Sequence, residues 1–107
     1  MIVFSFGDIV LLKFPFTDGA KQKKRPALVI RDTEDNDIIV CRITSEFYRT
    51  KFDFEINHWQ ECGLKLPSIV RLHKIATLNK TLVERKIGSL NKELEKKLQA
   101  NFKMLTI

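Results

Sequence analysis

At 107 residues, 44% of them apolar, the chain is sized for one domain over 1–107 with a modest core, and it has no low-complexity tract or internal repeat to suggest a linker or a solenoid. Nineteen Lys and Arg against thirteen Asp and Glu leave a net charge of +6, which favours a polyanionic partner such as nucleic acid, although solubility alone also accounts for such an excess. The apolar start "MIVFSFGDIVLLKFPF" carries Asp8 and Lys13 and no basic leader, so neither a signal peptide nor a bilayer span is expected, and Cys41 and Cys62 make neither a disulfide framework nor a zinc ligand set. A cytoplasmic protein without membrane, metal or cofactor is the expectation.

In chain order, "DIVLLKF" (8–14) reads as a first strand, and Pro15, Asp18 and Gly19 mark a loop through "PFTDGAKQKK". "ALVIRD" (27–32) and "IIVCRI" (38–43) read as two strands separated by the turn "TEDND". "KFDFEI" (51–56) alternates, with Phe52, Phe54 and Ile56 on one face and Lys51, Asp53 and Glu55 on the other, which predicts a solvated face. A long connection, "NHWQECGLKLP", leads to "SIVRLHKIATL" (68–78), one bent strand or two, and then to the short strand "VERKIG" (83–88). From Asn91 the period becomes helical: Leu94, Leu98, Phe102 and Leu105 share a stripe, Asn91 is placed as N-cap, and Glu93 and Glu95 fall where the helix dipole favours acid. The expected fold is mostly β in the α+β sense, a small barrel with a C-terminal helix laid on it.

The stretch "KQKKRPALVI" (21–30) places four cations before a buried-looking strand. Pro26 forces Arg25 into an extended conformation. A guanidinium held there suits a phosphodiester, because its planar, permanently charged fork grips two oxygens together. Lys21, Lys23 and Lys24 would add attraction to neighbouring phosphates. The simpler reading is a basic run that keeps a hairpin loop in water. A second polar pair, Thr44 and Ser45, ends "IIVCRITS". If 27–32 and 38–43 form a hairpin, Thr44 returns beside Arg25, although Thr and Ser also end strands for turn reasons.

The order "GDIVLLKFPFTDGAKQKKRPALVI", "IIVCRITS" and "GLKLPSIVRLHKIATLNKTLVERKIGSL" resembles the MazF/PemK family of toxins from toxin–antitoxin pairs, over residues 7 to about 90 with the terminal helix in place. The resemblance implies an SH3-like barrel of the CcdB/PemK type that homodimerises, cuts single-stranded RNA without a metal, and is inhibited by an acidic antitoxin. It implies Arg25 and Thr44 as catalytic residues, with Ser45 a neighbour, and 17–24 as a loop covering the substrate. Lys21, Lys23, Lys24, Ser45 and Arg49 are the expected RNA contacts. Some members carry glutamine where Lys74 stands and arginine where Ala76 stands, so contacts attributed to those positions do not transfer.

Other residues have weaker claims. His58 could act as a base but reads as an incidental loop histidine, and His73 as a cross-strand surface residue. Trp59 reads as buried under the long connection and Cys41 as inert core; Phe14 and Phe16 as core or loop anchors; Arg49 and Lys51 as substrate contacts or solvated charge. Two rivals stand beside the nuclease. One is a non-catalytic toxin of the same fold that binds DNA gyrase, as the CcdB toxins do, and needs neither Arg25 nor Thr44. The other is an inactive RNA-binding barrel.

Overall fold

The computed structural model describes residues 2–15 and 22–106, with backbone alone at 14, 15 and 22. Its elements in order are β1 (Asp8–Pro15), β2 (Gln22–Asp32), β3 (Asp37–Thr44), β4 (Asp53–Ile56), β5 (Ser68–Asn79), β6 (Val83–Ser89) and α1 (Lys92–Phe102), with short 3-10 turns at Lys80–Leu82 and Lys103–Thr106. The strands form one sheet in the order β4-β5-β3-β2-β1-β6, every neighbouring pair antiparallel. The mostly-β fold with a terminal helix is therefore as the sequence predicts.

The expected barrel is not closed by strand pairing, since β4 and β6 are the two ends of the ladder. The connection 57–67 makes contact with β6 instead. The Cys62 thiol donates to the Ser89 carbonyl at 3.3 Å. A Cβ at Gly88 would lie 2.1 Å from the Cys62 carbonyl oxygen, and one at Gly63 would lie 2.2 Å from that of Ile87, so this crossing is open only to glycine at both positions. Gly63 also has φ +80, which other residues rarely adopt.

The apolar runs explain the burial. Strands covered on both faces read as continuous apolar stretches rather than alternating ones, and β1 to β3 do so. Ile9, Leu28, Cys41 and Ile43 face a core completed by Val70, Leu72, Leu90 and the helix residue Leu98. Val10, Leu12, Ala27, Val29, Ile38 and Val40 face a smaller cluster closed by Phe4 and flanked by Leu78, Leu82 and Val83. Leu98 is fully buried, which contributes about 1.5–3 kcal/mol and fastens α1 to the sheet. Asn91 caps the helix by accepting the Leu94 N–H at 2.9 Å, with Glu93 and Glu95 in the first turn.

Two details depart from the sequence reading, and one alternative that it leaves open is decided. The basic run is not wholly loop: Gln22, Lys23, Lys24 and Arg25 belong to β2 and pair with β1 back to Pro15↔Gln22. The segment 68–79 is one strand, bent where its register against β3 jumps from Cys41↔Ile75 to Arg42↔Arg71. Asp53, placed on the solvated face by alternation, has a side chain only 2% exposed and pairs with Arg71, itself 9% exposed, at 2.8 Å. Period two assigned Asp53 a face but could not show that an arginine from β5 shares it.

Asp32 ties the N-terminal segment down. Its carboxylate accepts the Phe4 N–H at 2.7 Å and the Glu34 N–H at 2.8 Å, and pairs with Lys80 at 2.9 Å. The Phe4 hydrogen bond first, then Lys80, hold its pKa at about 2, below the ordinary 3.8. A depressed carboxylate pKa stabilises the folded state above the unfolded value and loses that contribution as pH falls through the folded value. Thermal melts of wild type and Asp32→Asn should thus differ most above pH about 4 and converge near pH about 2; a difference that persists at the acid end would assign the loss to something other than the charge.

Candidate functional site

β2 pairs with β3 only from Ala27↔Arg42 onward, while its pairing with β1 continues back through Pro26 and Arg25. Pro26 has no N–H to give a ladder, and β2 and β3 part beside it. A cavity of about 320 Å³ opens there, lined on one side by Arg25, Thr44 and Ser45. Extending the hairpin register two residues past Ala27↔Arg42 sets Arg25 opposite Thr44. Each is held from its other side, Arg25 by Leu12 of β1 and Thr44 by Ile69 of β5. The structure thus brings the guanidinium and the hydroxyl to one cavity.

The Thr44 hydroxyl oxygen accepts the Glu46 N–H at 3.1 Å, which fixes the oxygen and leaves the hydroxyl proton to donate. Ser68, also in the wall, donates to the Leu66 carbonyl at 2.8 Å. Among the described residues the lining includes Lys24, Arg25, Arg42, Lys65 and Arg85 and neither a carboxylate nor an imidazole. Such a cationic wall suits an anion, and its donors are placed to stabilise negative charge.

The other expected contacts divide. Lys24 lines the cavity, but its ammonium pairs with Glu84 at 2.7 Å. That lysine first, with help from Lys13 and Arg85, holds the Glu84 carboxyl below its usual range. Lys23 is exposed on β2 and Arg49 is exposed in the β3–β4 connection, and neither lines the cavity. Lys21 and Phe16 lie outside the described residues, as does the Phe14 side chain.

Arg42, Lys65 and Arg85 escaped the sequence reading. Arg42 left a signal, as the one cation in the apolar run "IIVCRI", two residues before Thr44 and so on its face. Lys65 and Arg85 left none, because only tertiary structure brings the 57–67 connection and β6 to the same wall.

The weaker candidates lie elsewhere. His58 accepts the Asn91 N–H at 3.0 Å at the start of α1. His73 packs on Phe52, ring centroids 5.3 Å apart. Trp59 packs against the larger core. Cys41 is fully buried, and burial pushes its thiol pKa up to about 12, which makes it inert. The Lys51 ammonium sits 5.2 Å over the Phe52 ring. A second hollow of about 360 Å³, more apolar, shares Arg25, Pro26, Arg42 and Ile43 with the first and reaches Lys74 and Ile75 on β5.

Residues 5–105 match the family model described as PemK-like, MazF-like toxin of type II toxin-antitoxin system. The chain belongs to that family. Solved structures agree on the fold. This PemK/MazF-family chain is similar to the Mycobacterium tuberculosis toxin MazF-mt6 at 20% identity and TM-score 0.75, covering 92% of this chain and 95% of that one. It is similar to the MazE-MazF structure (Form-II) from Deinococcus radiodurans at 17% identity and TM-score 0.80, covering 99% and 97%. It is also similar to an endoribonuclease from Mycobacterial species at 14% identity and TM-score 0.77, covering 99% and 93%. No curated protein matches the chain. Among the described residues no helix is long and apolar enough to cross a membrane.

Proposed function

We propose that this toxin is a cytoplasmic endoribonuclease that cleaves single-stranded RNA, with Arg25 and Thr44 as its catalytic pair. The observation that carries the reading is the cavity itself, where a strand-held guanidinium and a hydroxyl with a free proton share a lining rich in cations and, among the described residues, without carboxylates. RNA brings its own nucleophile. The 2′-oxygen bonds to phosphorus as the bond to the 5′-oxygen breaks, which yields a 2′,3′-cyclic phosphate and a 5′-hydroxyl. The proton leaving the 2′-hydroxyl passes to water, and the departing 5′-oxygen takes one from water. Arg25 stabilises the charge on the pentavalent phosphorus, and Thr44 donates to a non-bridging oxygen. The arginine guanidinium is permanently charged, so Arg25 serves as an electrostatic group rather than as a proton donor. Neither step calls for a metal.

Structures similar to this chain include a MazE-MazF assembly and an endoribonuclease in complex with its cognate antitoxin. On that likeness we assign the chain an acidic antitoxin, attracted by the same cations, and a homodimeric state.

The test incubates purified protein with single-stranded RNA and with DNA of the same sequence, both in EDTA. RNA should be cut to 2′,3′-cyclic ends, and DNA should be bound but left whole. With about four cations engaged on a single strand, affinity for either should fall roughly fiftyfold between about 50 and about 200 mM salt. RNA that stays intact at every salt concentration removes the nuclease reading, and a flat salt response removes the electrostatic account of binding.

A further inference from the structure

The ion pairs of the described residues are unevenly distributed. Arg71, Lys80 and Lys86 are matched with Asp53, Asp32 and Asp8, and of the cavity cations Lys24 alone has a carboxylate within 4 Å. Arg25, Arg42, Lys65 and Arg85 face the cavity with no ion-pair partner among the described residues. A single phosphodiester carries one negative charge. Four unmatched cations around about 320 Å³ therefore exceed what the scissile phosphate neutralises, and they do not all stand on the same wall. Arg25 and Arg42 come from β2 and β3. Lys65 and Arg85 come from the side where the connection crosses β6. The Gly63–Ile87 contact brings this second pair together: Lys65 lies two residues after Gly63, and Arg85 lies two before Ile87 and so on the same face of β6.

We infer that Lys65 and Arg85 form a second phosphate subsite, facing Arg25 and Thr44 across the cavity, that holds the phosphate next to the scissile one in the RNA chain. This rests on the nuclease reading. The cavity then grips two consecutive phosphates, and the strand between them is drawn taut against Thr44. Arg85 supplies the directional fork and Lys65 a non-directional charge. Both are binding and positioning groups, remote from the bond that breaks.

The experiment compares three minimal substrates: a dinucleoside monophosphate, the same molecule with a 5′-terminal phosphate, and the same with a 3′-terminal phosphate. In wild type one of the two added phosphates should raise kcat/KM by about tenfold or more, and which one does so tells the direction in which the strand lies. That ratio should shrink to about one to two in Arg85→Ala and in Lys65→Ala, and be partly retained in Arg85→Lys, which keeps the charge but not the fork. It should be unaltered in Lys96→Ala, a control on the exposed face of α1. The 2′-deoxy counterparts, which cannot be cut, give the same ratios by competition binding. If neither added phosphate gives a gain in wild type, or if the gain persists in the alanine variants, the subsite does not exist. If no ribonucleotide is cut but the deoxy ratios behave as stated, the subsite stands and the nuclease reading falls.

Discussion

Arg25→Ala should lower RNA cleavage by about 10² to 10³ in kcat while leaving the fold untouched. The two halves of this statement rest on different observations. Loss of activity follows from position: the guanidinium lines the same cavity as Thr44, where the proposed reaction develops charge on the phosphorus. Retention of the fold follows from exposure, since the Arg25 side chain lies outside both core clusters, and surface substitutions of that kind change stability by about 0.5 kcal/mol or less. Arg25→Lys should recover little, because a point charge cannot span two phosphoryl oxygens in a plane. Thr44→Ala should cost less than Arg25→Ala, as it removes a neutral donor rather than a charged one. Measured as single-turnover rates beside thermal melts, cleavage that survives in Arg25→Ala would expose a contaminating nuclease and overturn the assignment.

Asp53→Ala should be the most damaging stability variant considered. The Arg71 guanidinium, 9% exposed, is held by Asp53 at 2.8 Å and covered by the Tyr48 ring, 3.7 Å from its carbon. Asp53 also accepts from the Thr50 N–H at 3.0 Å and the Thr50 hydroxyl at 2.7 Å. Burial pushes the Asp53 pKa up, but the hydrogen bonds from Thr50 and Arg71 outweigh it and leave the carboxyl below its usual range. Taking away the anion strands a buried cation at a cost of about 3–5 kcal/mol, a large share of the roughly 5–15 kcal/mol that holds a domain together. Urea unfolding should show this loss, and Asp53→Ala combined with Arg71→Leu should regain part of it, because the stranded charge is then gone. A single variant that loses less than about 1 kcal/mol would mean that the pair is solvated in practice. The effect should reach the cavity too: Thr50 and Tyr48 tether the segment that follows Thr44 and Ser45, so the variant frees those hydroxyls to wander.

Much of this was legible in the residues. Apolar runs separated by turn chemistry located the strands, the change of period at Asn91 located α1, and Pro26 with Arg25 pointed to the hairpin from which the cavity opens. What failed to show has a physical reason in each case. Lys23 and Lys24 looked like loop because charge clusters favour solvent, yet an edge-like ribbon with β1 tolerates them as strand. Asp53 looked solvated because alternation reports a face and not what covers it. Lys65 and Arg85 were invisible because the contact that brings them together joins residues 63 and 87, and nothing near either in sequence announces it.

The pair of glycines has a bearing on folding fidelity as well. β6 meets β1 with two register irregularities, so its ladder alone discriminates weakly against a misaligned strand. Sliding β6 by one residue would thrust the side chain of Ile87 or Ser89 into the Cys62 carbonyl, and such a slip also turns every side chain of the strand over. The steric notch therefore acts as a key that admits a single alignment, and it does so by excluding the wrong neighbours rather than by attracting the right one.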